Sequence, residues 1–483
     1  MSDDEGPGIR NQSAISYAGN LIDAAVSFGG LVLFANLLGA AGIGRFYTIL
    51  AVVQVASFPA AGVGQAIQKR GSEYDESPAP FLGAGLTMGT GYVLLIVVVV
   101  SGLITVGLTG RFTTRQVVGA VGVLAARVAF LLINDAYKAQ GKTGFATLAD
   151  NVLGIVETVV QTAFVLLGFG VFGLLVGTSV ATVCAVIGHL AVTSVRVDQP
   201  TRDTFALLLS FARWTTSTAG LNTVYDRLPV LALYAFASPT VVGYYSAANK
   251  LLVLGSYVGG SLAPALMVRA SRRTTADAFD SVVEDLRMTF QYAGIVAIPM
   301  WIGALVMPKE LMSVVFGFEQ GAVALVGLGV FHIINTLDTV TYSFITGINR
   351  PDFSFSATVT GLLVRVIVIG ATIQPFGLVG VIAAVVVSHA THLLLAVRVL
   401  RAELGRVSFP VGIAYQLIAA GTMGVAVRLV TSVVNVGTWL PLLLVVAFGT
   451  ACYGFVLLSL DERLRQISTG ILRDAGVSAR ELR

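Results

Sequence analysis

The chain has 483 residues, 55% of them hydrophobic and only 12% charged, with a formal net charge of +4 and a mean hydropathy of +0.85. A soluble domain carries about 25% charged residues, so the composition excludes a water-soluble globular protein, and no nucleic-acid partner is expected. The apolar runs are continuous over most of the chain, which excludes a barrel, whose strands would alternate over short segments.

Residues 1–13 form an acidic-headed tail. The apolar segment after it is too long for a signal-peptide core and reads as an uncleaved first span. Crossing a bilayer takes about 20 residues, and fourteen segments qualify: about 14–38, 46–67, 81–107, 116–138, 144–167, 171–195, 205–236, 240–268, 286–307, 321–346, 354–374, 377–399, 409–432 and 438–460. Cytoplasmic loops carry the excess of Lys and Arg. With both termini cytoplasmic, the outer loops hold only Arg45, Arg111, Arg115 and Lys309, and the other basic residues outside spans fall on the inner side. The expected location is the cytoplasmic membrane, crossed many times, with both ends inside. The longest inner loop, about 269–285, mixes both charge signs and reads as a solvated amphipathic linker.

An internal repeat organises these spans. Gly44-Arg45-Phe46-Tyr47 opens span two, and Gly243-Tyr244-Tyr245-Ser246 opens span eight. Ala139-Gln140-Gly141-Lys142 after span four is echoed by Gly347-Ile348-Asn349-Arg350 after span ten. The expected fold is an all-α polytopic membrane protein of about 14 transmembrane helices, with two parallel six-helix bundles around a central cleft and two C-terminal helices. Its divisions are a cytoplasmic tail (1–13), a first bundle (14–196), a cytoplasmic linker (197–204), a second bundle (205–403), accessory helices (404–460) and a cytoplasmic tail (461–483).

Span seven breaks the apolar pattern. Residues 205–236 carry Arg213, Asn222, Asp226, Arg227 and several threonines. A charge at the centre of a lipid-facing helix costs at least about 2.5–3.5 kcal/mol, so these side chains are expected to face protein or a water-filled cavity. On a helical projection Arg213, Ser217, Gly220 and Arg227 share one side, while Thr215, Thr218, Asn222 and Asp226 fall nearer the other.

At these residues the chain resembles a known family. The stretch Ala35 to Glu73, ANLLGAAGIGRFYTILAVVQVASFPAAGVGQAIQKRGSE, is similar to the second-span signature of polysaccharide-export flippases. FARW, YDRLPVL and VVGYYSAANKLL in spans seven and eight, and AQGK after span four, resemble the same family. Its wider superfamily includes multidrug antiporters and lipid II flippases. The resemblance implies a V-shaped pair of bundles that moves polyprenyl-(di)phosphate-linked oligosaccharides from the cytoplasmic to the outer leaflet. It implies no cofactor, and as partners the lipid-linked oligosaccharide, membrane lipids and the glycosyltransferases or polymerase of the same pathway.

A lipid-linked glycan presents an anionic phosphate beside a polar sugar, so its site needs cations in a low-dielectric cleft and polar groups for hydroxyls. The expected substrate-binding residues are Arg127, Arg213, Arg227, Lys250, Arg365 and Asn222. Buried carboxylates exchange protons, and several oxygens together hold Na⁺. Coupling to H⁺ or Na⁺ would run through Asp23, Glu157, Asp226 or Asp338, with neutralisation of Arg127 as the alternative role for the first two. His189, His332, His389 and His392 form no convincing metal set: His389 and His392 are three residues apart, but no acidic ligand accompanies them, so they are expected to be satisfied by packing between helices. Arg428, in the accessory pair, has an expected packing or interfacial role.

A membrane glycosyltransferase or polymerase would need a sizeable outer loop bearing catalytic acids, and every outer loop here is short. Gly62-Val63-Gly64 lacks the third glycine of a dinucleotide loop, and there is no P-loop for ATP hydrolysis. A cation-coupled multidrug antiporter is the alternative transporter, and the excess of cations over acids in the second half argues against it.

Overall fold

The computed structural model describes residues 7–73, 78–141, 143–192, 197–257, 279–348, 351–405 and 411–466, with single positions at 260, 263, 266 and 267. Most of the expected linker over 269–285, and the tail beyond 466, lie outside these residues. All regular elements described are helical. They are α1 (Pro7–Ala56), α2 (Phe58–Glu73), α3 (Ala79–Thr105), α4 (Thr114–Ala139), α5 (Thr143–Phe164), α6 (Gly170–Val192), α7 (Arg202–Phe236) and α8 (Pro239–Leu252), followed by α9 (Phe279–Ala293), α10 (Ala297–Val306), α11 (Pro308–Phe316), α12 (Ala322–Gly347), α13 (Pro351–Leu404), α14 (Gly412–Val433) and α15 (Trp439–Leu460).

Among the described residues, nine helical stretches are long and apolar enough to cross a membrane. Three of them, Ile22–Ala56, Ala146–Ala191 and Phe355–Leu404, run 35, 46 and 50 residues, close to two crossings each at about 20 residues per crossing. Each breaks at a glycine with positive φ: Gly39 at 66°, Gly168 at 88° and Gly377 at 52°, a conformation that costs other residues a Cβ clash. The chain reverses at Gly377, since a Cβ on Gly380 would stand 2.5 Å from the Thr372 carbonyl oxygen. The protein is an all-α, multi-pass membrane protein.

Two helix starts are set locally. Thr113 and Gln116 form a reciprocal capping box at α4, and Thr201 and Thr204 form one at α7; each satisfies backbone donors that a helix leaves open. Asp203 in the first turn of α7 complements the helix dipole. The Glu73-Tyr74-Asp75 stretch, which superficially imitates an acidic catalytic pair, is accounted for at Glu73, which pairs with Lys69 and Arg70 at 3.0 Å each.

The chain divides into two compact units, Met1–Ser246 and Ala247–Arg483. In lipid no hydrophobic drive joins helices, so close contact of small residues and hydrogen bonds must hold them. The first unit does this along α2, which packs on α3, α4 and α7. On α3, a Cβ on Gly85 would meet the Ile67 side chain at 2.5 Å, and one on Gly89 the Leu132 side chain at 2.9 Å. Thr215 Oγ1 on α7 donates to the Gly62 carbonyl at 2.7 Å, and the place of a Cβ on Gly220 lies 3.0 Å from the Phe58 ring. The α7 face bearing Gly220 thus packs on α2, and Thr215, read from the sequence as lying nearer the other side, serves the same contact.

The sequence repeat has a spatial counterpart in this unit. A Cβ on Gly44 would stand 1.7 Å from the Pro239 carbonyl oxygen, and one on Gly243 would stand 2.0 Å from the Ala40 carbonyl oxygen. The two equivalent glycines let α1 and α8 touch backbone to backbone. Nearby, Arg111 donates to the Tyr234 carbonyl at 3.1 Å, and the Phe112 ring stacks on Tyr234 at 4.9 Å.

In the second unit α12 packs on α9, α10 and α13, and α15 on α14. Leu286 and Phe290 of α9, Val340 and Phe344 of α12, and Ala396 and Leu400 of α13 form its apolar core.

Candidate substrate and ion sites

In the first unit, Arg127 of α4 reaches the junction between α1 and α2. Its Nε donates to Ser57 Oγ at 3.1 Å, and Ser57 is 2% exposed. Arg227 lies close enough to repel Arg127, while Glu157 and Asp150 lie close enough to attract it. Both arginines are half-buried. Arg227 stands two turns beyond Gly220, on the α7 face that turns towards α2. Among the described residues Arg227 makes no hydrogen bond or ion pair. Two guanidinium groups that sense each other's charge could serve an anion with several oxygens, which arginine forks bind in pairs.

The first unit's acids gather around α5. A Cβ on Gly154 would stand 1.9 Å from Asp23 Oδ1, so the Asp23 carboxylate of α1 rests on the α5 backbone. Ser27 Oγ donates to the same oxygen at 3.2 Å. One turn along α5, Glu157 Oε1 accepts from Gln161 Nε2 at 2.9 Å and from Thr178 Oγ1 of α6 at 2.8 Å. Gln161 and Thr178 are 5% and 7% exposed. Carboxylate and hydroxyl oxygens of this kind suit Na⁺ as well as a proton. Asp150 accepts from Asn134 Nδ2 at 3.2 Å, and Asp135 pairs with Lys138 at 3.0 Å.

In the second unit Arg365 is 2% exposed. Its Nε donates to Ser388 Oγ at 2.9 Å and its Nη2 to His389 Nδ1 at 2.8 Å. Asp338 of α12 meets His392 of α13, with Oδ1 and Nδ1 2.7 Å apart. This corrects the expectation that His389 and His392 lack an acidic partner: the acid comes from 54 residues away and is invisible to local spacing. The signal that could have found it is the rarity of ionisable groups inside spans, which obliges Asp338 to seek a partner on a neighbouring helix.

The other expected residues are more open. Arg213 and Asn222 are exposed on α7, and Arg213 lies 5.4 Å from the Trp214 ring centroid. Asp226 is exposed on the same helix, and Lys250 is exposed near the end of α8. Asn222 and Asp226 are one turn apart, so their side chains share an edge of α7.

Comparison with known proteins follows this geometry. The model of a family described as polysaccharide biosynthesis protein matches residues 9–271. The chain is 26% identical over 471 residues to the probable flippase AglR of Haloferax volcanii, covering 94% of this chain and 96% of that protein. It is 23% identical over 391 residues to the probable low-salt glycan biosynthesis flippase Agl15 of the same organism, covering 78% and 80%. Among solved structures, the lipid II flippase MurJ in an inward closed conformation superposes with a TM-score of 0.77 at 13% identity, covering 93% of this chain and 99% of that one.

Proposed function

The chain belongs to the polysaccharide biosynthesis protein family, and we propose from that premise that it is a flippase for a polyprenyl-(di)phosphate-linked oligosaccharide. It is a transporter rather than an enzyme. It carries the glycan lipid from the cytoplasmic to the outer leaflet of the cell membrane by alternating access, with both termini cytoplasmic, and receives its substrate from the glycosyltransferases of the same pathway. The observation that carries this reading is the pairing of Arg127 and Arg227, two half-buried cations within repelling distance of each other. Like charges repel in a low-dielectric interior; Glu157 and Asp150 offset part of that repulsion at Arg127, and a lipid phosphate is the further anion the two arginines would share. Bidentate contacts fix the phosphate, Asn222 and Asp226 offer polar groups for sugar hydroxyls, and the prenyl chain stays in lipid. Arg213, exposed and stacked on Trp214, docks headgroups arriving from the inner leaflet; Lys250 is the further cation open to the substrate. Coupling to H⁺ or Na⁺ draws on the intramembrane acids, Asp23, Glu157 or Asp226 in the first unit or Asp338 in the second.

The test is R227A, alone and with R127A, in a host lacking its own flippase. Loss of surface glycan at normal protein level, with lipid-linked sugar accumulating on the cytoplasmic side, is the expected result. Unchanged export sinks the phosphate assignment. Drug resistance without any glycan phenotype sinks the flippase reading and favours an antiporter.

A further inference from the structure

The second unit buries an acid–base pair that binding of the substrate phosphate does not use. Asp338 is 8% exposed and His392 7%, with 2.7 Å between Oδ1 and Nδ1. Two other histidines of this unit are differently placed. His332 is held at both ring nitrogens, by Ser256 Oγ at 3.0 Å and by Asn249 Oδ1 at 3.1 Å. The amide oxygen only accepts, so Nε2 donates to Asn249, and Nδ1 is engaged with the serine hydroxyl. His389 faces the Arg365 guanidinium at 2.8 Å, a permanent cation that opposes a second charge on the ring. His392 alone of these three faces a carboxylate.

The surroundings add little competing charge. From α12 come His332 and Tyr342, whose ring centroid lies 6.1 Å from that of His392. From α13 come Arg365 and His389, the latter one turn before His392. From α8 and the turn after it come Asn249 and Ser256, with Lys250 exposed beside Asn249. The helices α9, α10 and α11 meet α12 through Leu286 and Phe290, the Trp301 ring against Gly329 with its Nε1 donating to the Val326 carbonyl at 3.2 Å, and Met312 against Gly321; α9 also carries Asp285, whose Oδ2 is buried.

We propose that the Asp338–His392 pair is the proton-carrying site of the transport cycle. Unloaded, Nδ1–H donates to the carboxylate and the pair carries one negative charge, with the Arg365 cation nearby. A proton added at Nε2 makes an imidazolium–carboxylate pair of no net charge, and its release as hydronium restores the first state. One charge enters and leaves a buried site in each round. The single carboxylate and an imidazole give Na⁺ too few oxygens, so the site is selective for a proton. Where the proton sits rests on the second unit's geometry; what it drives rests on the flippase reading.

The test uses the full chain reconstituted in lipid vesicles, as wild type, D338N, H392Q and, as a control, H189Q in the first unit. Infrared difference spectra between about pH 5 and about pH 8, the range in which histidine titrates, are expected to show an imidazole and a carboxylate response that is present in wild type and H189Q and lost in D338N and H392Q. Flux of a short-chain polyprenyl-diphosphate disaccharide is then followed with and without a pH gradient. For one coupled proton, a gradient of about one unit shifts the accumulation ratio about tenfold. That shift is expected in wild type and H189Q and absent in D338N and H392Q. Wild-type flux that ignores the gradient, or a proton signal that survives H392Q, overturns the proposal and leaves the flippase reading intact. A proton signal lost in H392Q beside no wild-type flux at all supports the proton site and overturns the flippase reading. Should the variants fail to fold, the wild-type spectrum and gradient response decide alone.

Discussion

Arg227 and Arg365 look alike in the sequence, each a lone cation inside an apolar span, and the structure gives them opposite circumstances. Arg227, in the first unit, is half-buried, close to Arg127, and without a hydrogen bond or ion pair among the described residues. Arg365, in the second, is 2% exposed and donates to Ser388 and His389. A cation whose donors are engaged by its own fold ties its helices together; one without such bonds is, on the proposed reading, the partner of the substrate anion. The acids repeat the contrast. Asp23 and Glu157 accept from hydroxyl groups and, at Glu157, from the Gln161 amide, whereas Asp338 faces the His392 imidazole.

The largest test of this comparison is R365A. Removing it leaves Ser388 and His389 short of a donor in a buried space with a cavity, and about 3 kcal/mol of stability should go. Thermal melting in detergent reads this as a clear fall in Tm with lower protein yield; an unchanged melt would break the claim that Arg365 is structural. R227A should do the reverse. Melting stays near wild type, or rises as a repulsion is removed, while flux of a polyprenyl-diphosphate oligosaccharide falls about 10- to 100-fold, the value of a charge-assisted contact. If R227A unfolds the protein instead, the two arginines are not different in kind.

Smaller effects sharpen the same contrast. T215V removes the hydroxyl that α7 gives to the Gly62 carbonyl, and should cost about 1 kcal/mol by melting with little change in flux per folded molecule. A large loss of flux without destabilisation would return Thr215 to the substrate path. R213A is the mildest: an exposed charge resting on its neighbouring ring should change flux less than about fivefold and leave melting unmoved. Any such loss should shrink as salt is raised.

What could be read from the sequence was whatever depends on a short stretch of chain. Hydropathy over a single crossing is a local sum, so the apolar runs are legible, as are the capped start of α7 and the presence of ionisable groups where lipid forbids them. The repeat was legible too, because Gly44 and Gly243 sit in similar local patterns. Tertiary structure decided which groups meet. That depends on how each helix is rotated about its axis and which helix stands beside it, and neither is encoded in any one span. Asp338 and His392 are 54 residues apart, Arg127 and Arg227 belong to helices that local spacing cannot pair, and the echo glycines proved to lie against each other's chain segments. A charge inside a membrane announces itself by its cost; its role is settled by the partner that offsets that cost, and partners are chosen by packing.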